Sequence, residues 1–109
     1  MTTILRAPPA TVVLDGEIDI ATSPAIWESL MAAINAGNLH LAVDMSGVAF
    51  IDAAGIGVLV AAANRAREAG GGLSLLAPSR QVRRLLEVLH LDAILPACMS
   101  GSSSRLLAG

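Results

Sequence analysis

The chain has 109 residues, 54% of them hydrophobic and only 15% charged, which excludes a disordered polymer and leaves enough apolar material for one core. Seven Arg, no Lys and nine acidic residues give a formal net charge of -2, without the basic concentration that a phosphate backbone requires, so direct nucleic-acid binding is not expected. Apolar stretches are broken by Asp, Asn, Arg or Gly well before a bilayer's thickness is reached, so membrane insertion is not expected either.

Residues 1–6 show no basic segment followed by an apolar run, so no secretory leader is expected and a cytoplasmic location follows. Residues 3–7 suggest a weak strand, separated by Pro8-Pro9 from the β-branched run Thr11-Val12-Val13-Leu14, and the two could form a hairpin. Ser23-Pro24 has the pattern of an N-cap followed by the first helical residue. Ile26, Leu30, Ala33 and Ile34 then recur at helical spacing, and Gly37 is the expected stop. Residues 39–44 predict a second strand, with Leu39, Leu41 and Val43 on one face and Ala42 on the other. Apolar residues on both faces suggest a central strand, buried on both sides between parallel neighbours.

A turn is expected at Asp44-Met45-Ser46-Gly47, and Asp52 then caps a helix reaching about Ala69, accepting the amide hydrogen of Ala54 or Gly55. Ile56, Leu59, Val60, Ala63 and Ala66 form its expected core stripe, while Val58, Ala61 and Ala62 make the opposite side apolar too. A helix whose first turns are apolar all round is either buried on every side or left for a partner. Gly70-Gly71-Gly72 reads as a turn, and residues 73–77 as a third central strand. Pro78-Ser79 opens another helix, with Val82, Leu85, Leu86 and Leu89 inward and Arg80, Arg83, Arg84 and Glu87 outward. Residues 91–95 suggest a short strand, and residues 97–109 a brief helix capped by Ser100 or a flexible tail. Alternating strands and helices predict an α/β fold in a single domain, a mixed sheet of four to five strands with helices packed against it.

Chemistry is sparse. There is no nucleophile elbow, and the Gly-rich run lacks the lysine of a phosphate-binding loop. Gly55-Ile56-Gly57 is too short for a dinucleotide fingerprint, and His40 and His90 have no ligand at metal spacing. Cys98 is the only cysteine, so no internal disulfide can form, and it reads as a structural thiol. No enzyme activity, cofactor or metal is expected. Asp44 and Asp52 lack any supporting group for acid–base work, and Asp52 is better explained as the cap.

Three segments in register resemble the STAS family, and within it the single-domain bacterial anti-sigma factor antagonists. Leu14-Asp15-Gly16-Glu17-Ile18-Asp19 is similar to the family's Leu-x-Gly-Glu-Leu-Asp. Val43-Asp44-Met45-Ser46-Gly47-Val48 resembles Asp-Leu-Ser-Gly-Val, and Phe50-Ile51-Asp52-Ala53-Ala54-Gly55 resembles Phe-Ile-Asp-Ser-Ser-Gly. The resemblance implies a protein that binds an anti-sigma factor of the serine-kinase type and frees a sigma factor. In the family, that kinase phosphorylates the Ser or Thr directly after the Asp, and the added charge breaks the complex. Here that position is Ala53, and Ala54 follows, so neither offers a hydroxyl.

The resemblance therefore implies an antagonist that is not switched at Ala53, with Ser46, Thr22 and Ser23 as weaker candidate acceptors. Its partner-binding surface would comprise Asp19, Asp52, Ala53, Ala54, Gly55, Ile56, Val58, Ala61 and Ala62, beside the loop 17–22. The alternative is a scaffold or accessory STAS module in a signalling or transporter complex; a small-ligand binder has the least support. The same apolar helix face could also close a homodimer.

Overall fold

The computed structural model describes residues 3–7, 11–38 and 40–98. In chain order they form β1 (Thr3–Ala7), β2 (Thr11–Ile18), α1 (Ser23–Asn35), β3 (His40–Ile51), α2 (Ala53–Glu68), β4 (Gly72–Leu76), α3 (Arg80–Val88) and β5 (Ala97–Cys98). The strands lie side by side in the order β1-β2-β3-β4-β5. β1 and β2 are the expected antiparallel hairpin pair, in register from Thr3 opposite Asp15 to Ala7 opposite Thr11. The remaining pairs are parallel, with β3 in the middle between β2 and β4.

Each strand–helix–strand step moves one place in the same direction across the sheet. Right-handed crossovers then put α1, α2 and α3 on the same face. Burial follows that geometry. Val12 and Leu14 of β2, Leu41, Val43 and Met45 of β3, and Leu73 and Leu75 of β4 pack in one cluster with Ile26 and Leu30, Leu59 and Ala63, and Val82 and Leu86 from the three helices. Each fully buried leucine contributes about 2 kcal/mol. The opposite face carries Val13, Ala42, Asp44, Ser74 and Leu76, all only half-buried. The two-sided burial expected for β3 is therefore corrected: its neighbours are parallel, but all three helices lie on one side.

The turn expected at Asp44–Gly47 does not interrupt the chain, because β3 continues to Ile51. The Asp44 carboxylate still bonds locally, accepting from the Ser46 amide at 2.9 Å and the Ser46 hydroxyl at 2.7 Å. Opposite β2, β3 carries two extra residues, one between Asp44 and Gly47 and one between Val48 and Phe50, taken up as shifts in the β2–β3 register.

Ser23 is not the cap of α1. It is the first helical residue, buried, and its hydroxyl donates to the Asp19 carbonyl at 2.7 Å. Pro24 is therefore the second helical residue, one place later than expected though still in the first turn, and Gly37 follows the helix with φ +96°. Residues 91–95 form a turn rather than a strand. The Leu95 amide donates to the Leu91 carbonyl at 2.8 Å, and Leu95 is buried. Pairing with β4 begins only at Ala97. Leu89, expected inward, is 48% exposed because it lies past the last helical turn. Leu39 and the helix or tail proposed beyond Cys98 lie outside the described residues.

Candidate docking site

The carboxyl ends of β2 and β3 deliver two chain segments to one edge of the fold. Ile18 pairs with Ile51, and the Asp52 amide donates to the Ile18 carbonyl at 3.0 Å. The start of α2 is thereby fixed against the end of β2. Asp52 takes an extended backbone, and its carboxylate accepts from the Gly55 amide at 3.0 Å. This is the predicted cap, worth about 1 kcal/mol, with Gly55 as the donor.

Gly55 is buried for a specific reason. A Cβ there would lie 2.5 Å from Ile18 Cγ2 and 2.7 Å from Ile51 Cγ1. Only a residue without a side chain lets α2 approach the two strand ends this closely.

The first turns of α2 divide by exposure. Ala53 and Gly57 are exposed, and Ala54, Val58 and Ala61 are half-exposed. Nothing lies within 4 Å of where a Gly57 Cβ would be. Ile56 and Ala62 face the core at 5% and 0% exposure. Gly55, Ile56 and Ala62 therefore do not present a surface to a partner, and the expected site is corrected at those three residues. In its first turns, apolar on every side, α2 turns Ala62 fully inward, while the expected Val60 packs against the core half-exposed.

Asp19 builds the loop leading from β2 to α1. Its carboxylate accepts from the amides of Ala21 at 3.0 Å and Thr22 at 3.1 Å. The Thr22 hydroxyl in turn accepts from the Asp19 amide at 2.9 Å. This closed set of bonds sets the loop's shape.

Two exposed side chains were not among the expected contacts. Ile20, in this loop, is 76% exposed, and Phe50, one residue out of phase with buried Ile51, is 54% exposed. Phe50 stands directly beside Ile51, so period two fails there, whereas Ile20 keeps the phase of Ile18 and has no such sign in the sequence. Phe50 also lines a cavity of about 120 Å³ with Ser79, Gln81 and Leu85.

The edge is acidic. Glu17, Asp19 and Asp52 lie at these strand ends, Asp15 and Asp44 sit farther back along β2 and β3, and residues 11–58 contain no Arg or Lys. A second cleft of about 400 Å³, at the amino ends of β3 and β4, offers His40 but no carboxylate or thiol among its lining residues. Among the described residues, no three His, Cys, Asp or Glu side chains gather as metal ligands, and no helix is long and apolar enough to cross a membrane.

A strand order with one antiparallel edge pair, helices on one face and a capped, small-residue helix start defines an α/β module that offers a surface rather than a pocket. A family model described as "Mlab, STAS domain" matches residues 4–96, and the chain belongs to the STAS domain family. The anti-sigma-B factor antagonist of Listeria monocytogenes is 32% identical over 80 residues, spanning 73% of this chain and 70% of that protein. Two solved structures share the fold. An anti-sigma factor antagonist from Mycobacterium paratuberculosis has a TM-score of 0.78 at 24% identity, covering 99% of this chain and 92% of its own. The Bacillus cell fate determinant SpoIIAA in its phosphorylated form has a TM-score of 0.73 at 19% identity, covering both chains fully, at 100% each.

Proposed function

We propose that this chain is an anti-sigma factor antagonist that acts by binding, not by catalysis, and that its usual off-switch is lost at Ala53. It docks a serine-kinase-type anti-sigma factor in the cytoplasm and so releases a sigma factor. The observation that carries this reading is Ala53 itself: the first residue of α2, exposed, next to the capping Asp52, and without a hydroxyl. The name of the Listeria relative supports the partner class.

The surface consists of Asp52, Ala53, Ala54, Gly57, Val58 and Ala61, bordered by the loop that Asp19 shapes. Small side chains there let a partner approach the helix backbone, and the acidic edge favours a partner presenting arginine or lysine. A phosphate beside Asp52 would add about -1.5 to -2 charges to an edge already negative. Alanine removes that route. Of the other hydroxyls considered, Ser23 is buried and the Thr22 hydroxyl is engaged with Asp19, whereas Ser46 is exposed with its hydroxyl donating to Asp44.

The test is binding of the purified cognate anti-sigma factor to the wild-type chain and to Ala53→Glu. The variant should lose binding about tenfold or more, with an unchanged melting temperature because Ala53 is exposed. Equal affinity would place the partner elsewhere. In parallel, incubation with the kinase and ATP followed by mass spectrometry should show no phosphate on the wild type and one on Ala53→Ser. Phosphate on Ser46 of the wild type would refute the unswitched state.

The description of the matching family model, "Mlab, STAS domain", does not name a sigma regulator and keeps a second reading open. In that reading the same α2 surface docks the chain as an accessory module in a transporter or signalling complex. Copurification from native cells with an ATPase or permease, and without a sigma regulator, would decide for it.

A further inference from the structure

Helix α3 carries a second face that the α2 surface does not explain. Arg80, Arg83 and Arg84 surround one cleft of about 220 Å³, shared with Glu87. None of the three guanidinium groups forms an ion pair or side-chain hydrogen bond among the described residues. Arg80 and Arg84 are exposed, whereas the Nε of half-buried Arg83 is buried and meets no acceptor. A buried donor without an acceptor is uncommon, and the Arg83 side chain must turn outward before an acceptor from a partner can satisfy it. Arg80, Arg84 and Val88 follow one another at four-residue spacing along the outward side of the helix. Val88 is 67% exposed and Leu89 48%.

We propose that this face of α3 docks an acidic, aliphatic-bearing segment of a protein partner, separate from whatever binds the start of α2. Charge selects the class. Three arginines against Glu87, and Asp92 in the cleft adjoining Arg83, leave a net positive face that attracts carboxylates, while residues 11–58 carry no Arg or Lys and attract the opposite sign. The aliphatic pair beside the arginines gives a peptide more to contact than a free anion could use. Anionic headgroups call for about four to eight basic residues in one cluster, more than α3 offers. The chain's net charge of -2 opposes a polyanionic surface as well.

The experiment titrates the intact chain with a synthetic peptide carrying glutamates and leucines at helical spacing, and follows backbone amide chemical shifts. Shifts gathered on residues 80–89, weakening as salt is raised, are expected. Arg80→Glu combined with Arg84→Glu should reduce peptide affinity roughly tenfold, since each exposed pair is individually modest. Both residues are exposed, so the melting temperature serves as the folding control. Ala53→Glu should leave peptide binding unchanged, which separates this face from the α2 surface. The proposal is overturned if the peptide produces no shifts there, or if the double variant binds equally well. It also fails if inorganic phosphate alone produces the same shifts at the same concentration, if phosphatidylglycerol vesicles sediment the chain through these arginines, or if the face is instead occupied by a second copy at working concentration.

Discussion

Two glycines only two residues apart on α2, and so on opposite sides of the helix, do opposite things. At Gly55 an added methyl group meets Ile18 and Ile51, whereas at Gly57 it meets open space. Alanine gains up to about 1 kcal/mol of helix propensity at either position. At Gly55 that gain is outweighed by overpacking, which costs about 1–3 kcal/mol when strand-end side chains must move. Gly55→Ala should therefore lower the urea midpoint and Gly57→Ala raise it. The sequence shows both glycines equally and gives no sign of this difference. Asp52 was readable because a cap needs only an acidic residue before an apolar helix. Gly55 was legible as part of a motif but not as a contact, because the close approach involves residues from two other segments.

At the level of elements, the strands and helices were legible where local chemistry decides them. A β-branched run marked β2, alternating apolar residues marked the start of β3, Ser79 and Asp52 marked helix starts, and Gly37 marked a stop. What failed was anything set by packing. In α2 every side of the first turns is apolar, so periodicity could not choose between Val60 and Ala62 for the core. In β3 the hydrophobic pattern looked two-sided because Ala42 and Val43 are both apolar, although helices cover only one face. The end of α3 was also hidden. His90 takes φ 58° just past the helix, where the Leu91 amide donates to the Leu86 carbonyl at 2.8 Å. That left-handed position costs a residue with a Cβ about 1–2 kcal/mol, and glycine does not bear the cost. His90 is exposed, so its side chain has little packing to lose. His90→Gly should raise the denaturant midpoint by an amount equivalent to about 1 kcal/mol, with the slope of the unfolding transition unchanged.

Across the molecule, charge is uneven along the sequence: residues 11–58 hold six acidic residues and no basic one, whereas the arginines after them are mixed with Glu68, Glu87 and Asp92. The edge holding the start of α2 has acidic groups from β2, β3 and the loop at Asp19, and its stretch of chain has no Arg or Lys; α3 carries an arginine cluster. A neutral small-residue surface inside an acidic rim leads to a kinetic expectation. Complementary long-range charge speeds encounter, and salt screens it, while short-range packing sets how long the complex lasts. On the proposed function, association of the chain with an anti-sigma factor should thus slow on the order of tenfold between about 0.02 and 0.5 M salt, with little change in dissociation rate. Asp15 is the informative substitution because it is exposed and takes no part in the Asp19 or Asp52 hydrogen bonds. Asp15→Asn should flatten the salt dependence of the association rate while shifting stability by no more than about 0.5 kcal/mol. Arg84→Gln, on α3, should leave that salt dependence no weaker than in the wild type. An association rate indifferent to salt, or one flattened equally by either variant, would mean that the acidic edge does not guide the encounter.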